Sequence, residues 1–242
     1  TVIQNAACEP EIVQLSEFLT AMGARIEGAG TPTITIMGVD QLHGCTFRVP
    51  EDRLQAGTYL LAGAITMGKV TVRGIMPDHQ TALINKLREA GAECEEGFDW
   101  ISVAAPNRLT GIKIRTMPYP GFATDIQQPM AAVLALAKGA SSIEETIYES
   151  RIGHVDELNR MGAKMTVQGR STLIEGVEHF DGAHVIASDL RAGAALVLAG
   201  LAAQGETIVR NVHFIDRGYM DFEDHLNALG GNVQRLATSE VF

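Results

Sequence analysis

Hydrophobic positions along the chain follow two helical patterns that recur. The first is an amphipathic helix that stops at a glycine: residues 19–23, 87–91, 158–162 and 226–230 share one helix ending, with Gly23, Gly91, Gly162 and Gly230 spaced 68, 71 and 68 residues apart. A glycine there can turn left-handed without steric cost and so marks a stop. After the first three stops, apolar and polar residues alternate with a period of two. This predicts hairpins of 25–27 with 33–37, 93–94 with 100–103, and 164–167 with 172–174, turning at 28–32, 96–99 and 168–171.

The second pattern is a helix apolar nearly all round and rich in Ala, Leu and Gly. Residues 52–67, 123–138 and 189–204 align without gaps, each followed by a glycine. Such helices belong inside a core, packed closely on neighbours. Strands are predicted after them at 69–73, 141–145 and 206–210. Each unit therefore reads strand, helix, strand, helix, hairpin, with a period of about seventy residues. Residues 1–50 carry only the second half of the pattern. Residues 51–115, 116–182 and 183–242 form three fuller units, the last cut short before its final hairpin completes. The expected class is α/β (α+β): one domain at 51–242 closed round its buried helices, preceded at 1–50 by the end of another.

Composition narrows the chemistry. With 242 residues and 46% apolar content the chain can bury a core, and a net charge of −10 excludes general affinity for nucleic acid or anionic membrane. Any phosphate must be met by a few local arginines. Cys8, Cys45 and Cys94 lie far apart, without metal spacing and in odd number, which points to a reducing cytoplasm and no metal. No basic n-region with an apolar core opens the sequence and no apolar run is long enough to span a bilayer, so the chain is expected to be soluble and unexported unless a leader was removed before residue 1; neither a GxxxxGK[ST] loop nor a strand-led GxGxxG occurs. The start at Thr1, a strand already under way, leads to the expectation that an N-terminal part is missing.

The chain turns on Tyr119-Pro120-Gly121-Phe122-Ala123-Thr124-Asp125, which leads into an apolar helix. Asp125 reads either as a helix cap or as a positioned base. With Gly139 and Gly205 as common origins, Arg151 and Arg217 coincide twelve residues on, where the first unit has Gln80; Asp125 coincides with Arg191 and Leu54. Three arginines beside a carboxylate suit an anionic substrate next to a base. The alternative is an ion pair within each loop, Glu149 with Arg151 and Asp216 with Arg217. His154 and His213 read as a helix start and a strand end, the methionines as core filler, and Trp100 as a packing residue.

Several linked stretches resemble one family over essentially the whole chain. Thr124-Asp125-Ile126-Gln127, the run 145–151, His154 to Leu158, Ser188-Asp189-Leu190-Arg191-Ala192 and Ile215-Asp216-Arg217-Gly218-Tyr219 are similar to the C-terminal part of the UDP-N-acetylglucosamine 1-carboxyvinyltransferases, a family of enolpyruvyl transferases. The runs 1–7 and 9–12 and Asp52-Arg53 continue the match. The resemblance implies an inside-out α/β barrel of βαβαββ units with buried helices, in which this chain holds the last unit of one domain and most of the next. It implies transfer of the enolpyruvyl group of phosphoenolpyruvate to the 3′-hydroxyl of UDP-N-acetylglucosamine, a step of peptidoglycan precursor synthesis, with no cofactor. Asp125 would be the base that binds the sugar hydroxyl, and Ile147 would meet the UDP-sugar through its backbone. Arg151, Arg191 and Arg217 would surround the donor's carboxylate and phosphate, with Glu149 as an acidic neighbour. The family's reactive-cysteine loop and its other phosphate-binding residues have no counterpart in this stretch. The expected partner is therefore the missing N-terminal half, and the fragment alone is expected to be inactive. A synthase acting on a phosphorylated shikimate is the same-fold alternative, and a non-catalytic repeat scaffold is the other.

Overall fold

The structure, a computed structural model, describes residues 1–236. The chain opens with β1 (Val2–Gln4), α1 (Pro10–Ala21), β2 (Arg25–Glu27) and β3 (Thr33–Met37). These strands form an antiparallel sheet in the order β1-β3-β2. After α2 (Arg53–Ile65) the same arrangement returns: β4 (Lys69–Arg73), α3 (Thr81–Glu89), β5 (Glu93–Glu96) and β6 (Trp100–Ala104) pair as β4-β6-β5. It returns again, now complete, in β7 (Lys113–Arg115), α4 (Thr124–Ala135), β8 (Ala140–Glu144), α5 (Gly153–Arg160), β9 (Lys164–Gln168) and β10 (Ser171–Glu175). There the order is β7-β8-β10-β9, with β7 parallel to β8 across the buried-helix crossover. The last stretch has β11 (Phe180–Asp181), β12 (His184–Ile186), α6 (Leu190–Leu201), β13 (Ala203–Gln204), β14 (Ile208–Arg210) and α7 (Phe222–Ala228). In it β12 runs parallel to β14, and β11 to β13.

The repeat is written in the backbone. Gly23, Gly91, Gly162 and Gly230 all take positive φ, between 93° and 101°, at the four helix ends read from the sequence. Helices α2, α4 and α6 pack against one another, and the sheets lie outside them: β4 and β6 on α2, β8 and β10 on α4, β14 on α6. Every residue of α4 from Ile126 to Ala135 is buried. Small residues set the approach: a Cβ on Gly193 of α6 would lie 2.6 Å from the Ile215 side chain. Met130, Leu134, Leu60, Leu61, Leu196 and Leu198 fill the space between these helices and their sheets. Each large side chain removed from water there contributes about 1.5–3 kcal/mol.

Three boundaries differ from the sequence reading. The first strand of the complete unit is β7, ahead of residue 116, and no strand lies between Met37 and Arg53 among the described residues, so the preceding unit begins directly with its helix. The buried helices end at Ile65, Ala135 and Leu201 rather than at 67, 138 and 204. In α4 the carbonyls beyond the end are taken by Arg108, whose guanidinium donates to Leu136 O at 2.7 Å and Ala137 O at 3.1 Å. In α6 the next residues join β13 instead. The ends of apolar helices are poorly marked by periodicity, because apolar character continues into the following strand. The end of the last unit, where its final hairpin is expected to be cut short, lies in part outside the described residues.

Candidate active site

All three buried helices start from the same structural position, and that alignment assembles the site. The N-cap residues are Asp52, Ala123 and Asp189. Leu54, Asp125 and Arg191 therefore occupy the same place, the second residue of the first turn. Asp52 and Asp189 each accept two backbone N–H groups of their helix. Asp125 does not cap α4: the cap is Ala123, which has no side-chain bond to the helix. The cap reading of Asp125 is thus corrected. Its carboxylate, two residues into the helix, is turned to side chains from other elements.

Two arginines divide that carboxylate. Arg151, in the loop between β8 and α5, donates from Nη1 to Oδ1 at 2.6 Å and to Thr124 Oγ1 at 3.0 Å. Arg191, from the first turn of α6, donates from Nε and Nη2 to Oδ2 at 3.2 and 3.0 Å. Burial of Asp125 favours its neutral form, but Arg191 and then Arg151 outweigh it and hold the carboxyl below the usual carboxylate range. Burial likewise opposes charge on Arg191, and the Tyr219 hydroxyl and Asp125 overcome it, keeping the guanidinium charged. Arg151 also lies over the Tyr148 ring, 4.8 Å from its centroid.

The loop that carries Arg151 is anchored by a buried carboxylate the sequence reading did not single out. Glu145 accepts from Thr116 Oγ1 (2.8 Å), Thr124 Oγ1 (2.8 Å), Ile147 N (2.8 Å) and Tyr148 N (3.1 Å). Its signal in the sequence was an acidic residue directly after a strand, with N–H groups two and three residues on within its reach, the geometry of a local side-chain turn. Thr124 is thereby forced to donate to Glu145 and accept from Arg151. Also unforeseen was the role of Tyr219, which bonds to Arg191 at 3.0 Å and to Thr58 at 2.8 Å.

The other expected site residues are placed as follows. Ile147 is exposed, but its N–H is committed to Glu145, which leaves its carbonyl oxygen for a ligand. Glu149 is exposed and forms no ion pair with Arg151. Arg217 is exposed at the end of a 3-10 turn (Val212–Arg217) and pairs with no carboxylate among the described residues. Asp216 pairs instead with Arg235 at 2.7 Å. Neither loop ion pair of the alternative reading is formed. The structure thus brings Asp125, Arg151 and Arg191 together in direct contact, while Arg217 stands outside those bonds. His154 is the second residue of α5, as its helix-start reading expects; it is fully buried and neither ring nitrogen has a partner among the described residues. Burial drives its pKa down to about 4.

Among the described residues no cluster of His, Cys, Asp or Glu could hold a metal ion, and all three cysteines are free. No helix among them is long and apolar enough to cross a membrane. The arrangement is one of fixed anion-binding groups around one ionised carboxylate at helix N-termini, where the dipoles add to the positive field.

The sequence profile of the family described as EPSP synthase (3-phosphoshikimate 1-carboxyvinyltransferase) matches residues 1–226. A protein of Caldanaerobacter subterraneus subsp. tengcongensis, UDP-N-acetylglucosamine 1-carboxyvinyltransferase 3, is 50% identical over 98% of this chain and 57% of its own length. UDP-N-acetylglucosamine 1-carboxyvinyltransferase 2 of Clostridium acetobutylicum is 47% identical over 97% of this chain and 56% of its own length. Among solved structures, the enolpyruvyl transferase NikO from Streptomyces tendae superposes with a TM-score of 0.85 at 28% identity, over 97% of this chain and 56% of that one. The chain spans a little over half the length of the curated relatives it matches.

Proposed function

The chain belongs to the EPSP synthase (3-phosphoshikimate 1-carboxyvinyltransferase) family, and on that premise we propose that it supplies part of the active site of an enolpyruvyl transferase acting on phosphoenolpyruvate and UDP-N-acetylglucosamine. Residues 51–242 would form the domain that carries the site, and residues 1–50 the last unit of a preceding domain. The rest of the site would come from the portion of the relatives' length that this chain does not span.

One observation carries the reading: an ionised carboxylate held between two guanidiniums from different repeats. The scaffold reading expects an ion pair within each loop, whereas Arg191 reaches from one unit to Asp125 of another. The reaction adds an acceptor hydroxyl to the central carbon of the enolpyruvyl group while the methylene carbon takes up a proton. Phosphate then leaves and the methylene proton is lost again. Atoms balance as acceptor alcohol plus phosphoenolpyruvate giving enolpyruvyl ether plus phosphate.

In this scheme Asp125 takes the hydroxyl proton. Of about four acceptor positions on a carboxylate, three are filled by the arginines, and one on Oδ1 is left for that hydroxyl. Each guanidinium has five N–H donors; Arg151 uses two and Arg191 three. The remainder can face a carboxylate or phosphate of the donor, joined by Arg217. An anion that engages those donors weakens their hold on Asp125, so the base gains proton affinity when the donor is bound. Ile147, through its carbonyl, and Glu149, beside Arg151, would meet the acceptor side of the cleft. Peptidoglycan precursor synthesis follows as the role if the acceptor is UDP-N-acetylglucosamine. The relatives at 47% and 50% identity favour that acceptor over a phosphorylated shikimate.

The test is phosphate release from phosphoenolpyruvate with each acceptor, using a protein of the relatives' full length that carries this sequence. Release with UDP-N-acetylglucosamine and none with the phosphorylated shikimate is expected, and the reverse would replace this reading with the synthase. Release with neither, together with no calorimetric binding of UDP-N-acetylglucosamine, would return the chain to a scaffold.

A further inference from the structure

Two buried hydroxyls beside the site have no role in the scheme above. Tyr219 follows the 3-10 turn that ends at Arg217, and its side chain is fully buried. Its hydroxyl lies 3.0 Å from Arg191 Nη1 and 2.8 Å from Thr58 Oγ1, and Thr58 lies 2.9 Å from the Leu54 carbonyl one turn back in α2. The protons along this line have only one arrangement. A guanidinium cannot accept and a carbonyl cannot donate. Thr58 must therefore spend its single proton on Leu54 O, Tyr219 must donate to Thr58, and Arg191 must donate to Tyr219. Every partner is used, and the line runs on through Arg191 Nε and Nη2 to Asp125. Helices α2, α4 and α6 are thus tied near their N-terminal ends by hydrogen bonds that run outward from Arg191, one branch through Tyr219 and Thr58 to Leu54 O and the other to Asp125.

The geometry points to Tyr219 and Thr58 as positioning residues for the transfer reaction: they fix the plane of Arg191, and with it the edge that Arg191 turns to Asp125. Tyr219 holds one N–H of Nη1, and Arg191 meets Oδ2 with its Nε–Nη2 edge. Burial keeps the phenol neutral against the pull of Arg191 and Thr58, so it stays a donor, with Asp52 adding to the same direction. The tyrosine ring also lies 5.6 Å from the Arg191 guanidinium carbon. The charged groups facing the line are Arg151 and Arg191 at Asp125, and Asp52 near Tyr219.

The inference rests on the reading of Asp125 as the base, and the test separates the two. In the full-length protein, Tyr219→Phe should lower kcat/KM by on the order of ten- to a hundredfold through loss of the charge-assisted bond from Arg191, and Thr58→Val, which removes the neutral bond that holds the Tyr219 hydroxyl, by about tenfold. The acidic limb of the pH profile should move to higher pH, because a loosened Arg191 holds the Asp125 carboxylate less firmly. Thr58→Ser, which keeps the hydroxyl, should restore both the rate and the limb. The carboxyl carbon resonance of Asp125, assigned with Asp125→Asn, should titrate higher in Thr58→Val and return in Thr58→Ser, whether or not the protein turns over. A lowered melting temperature with limb and resonance unmoved would overturn the positioning role, as would Thr58→Ser behaving like Thr58→Val. If wild-type protein shows no transfer while the resonance moves as described, the relay stands and the functional reading fails.

Discussion

Helices α4 and α6 begin alike and are used differently. Both are buried, both open on the same step of the repeat, and both carry a charged residue at the second position of the first turn. In α6 the cap position holds Asp189, which satisfies two backbone N–H groups, so Arg191 is free to reach across to α4. In α4 the cap position holds Ala123, and the carboxylate has moved two residues on, to Asp125, where it meets Arg151 and Arg191. A helix cap is worth about 1 kcal/mol. On the proposed reading, α4 forgoes one while its siblings α2 and α6 keep theirs because its carboxylate is placed for chemistry instead of capping. The site is the difference between units that otherwise share a fold.

Sequence order made the repeat legible because helix stops and hairpins are local. The four glycine stops and the N-terminal alignment of 52, 123 and 189 all appear in the backbone, since both are set within a few residues. The pairing of charges was not legible. Arg151 and Arg191 each had a nearby acidic residue in sequence, Glu149 and Asp189, yet both turn to Asp125, 26 and 66 residues away. Only the packing of α4 against α6 decides that. Thr58 and Tyr219 were missed for the same reason: the bond between them and the bond to Arg191 join different elements, and a lone buried hydroxyl leaves no periodic trace.

The contrast between the two helix starts can be pressed in order of effect. Arg191→Lys keeps the charge but loses the fork that meets Asp125 and Tyr219 at once, so turnover should fall by about 10²–10³. A steady-state assay that found less than a tenfold loss would show that charge alone suffices.

The acid response comes next. An unfolded chain protonates its imidazole below about 6.5, whereas buried His154 stays neutral down to about 4. The unfolded state binds the extra proton between those values, so stability should fall as pH drops from 6.5 to 4, by up to about 3 kcal/mol. Asp125 adds to the loss in the same direction at lower pH: its depressed folded pKa contributes stability above the unfolded carboxylate range, lost as pH falls below it. His154→Leu should flatten the slope between 6.5 and 4 in urea midpoints, and an unchanged slope would place the sensitivity elsewhere.

Smaller effects test the caps themselves. Asp52→Ala removes two bonds to the α2 first turn and should cost about 1 kcal/mol in denaturant midpoint. The reverse change, Ala123→Ser, supplies the cap that α4 lacks and should stabilise by a few tenths to about 1 kcal/mol. Differential scanning calorimetry resolves that sign, and a destabilised Ala123→Ser would mean that the first turn of α4 cannot host a cap beside Asp125.

Asp125 is where the account is most exposed, and its amide variant tests it most directly. Asparagine keeps the shape and one acceptor oxygen of the carboxylate but cannot take a proton. In the full-length protein, Asp125→Asn should lower phosphate release from phosphoenolpyruvate and UDP-N-acetylglucosamine by about 10²–10⁴, with donor binding largely intact. Near-normal turnover accompanied by a lowered melting temperature would show that this carboxylate only braces two arginines, and that no proton passes through it.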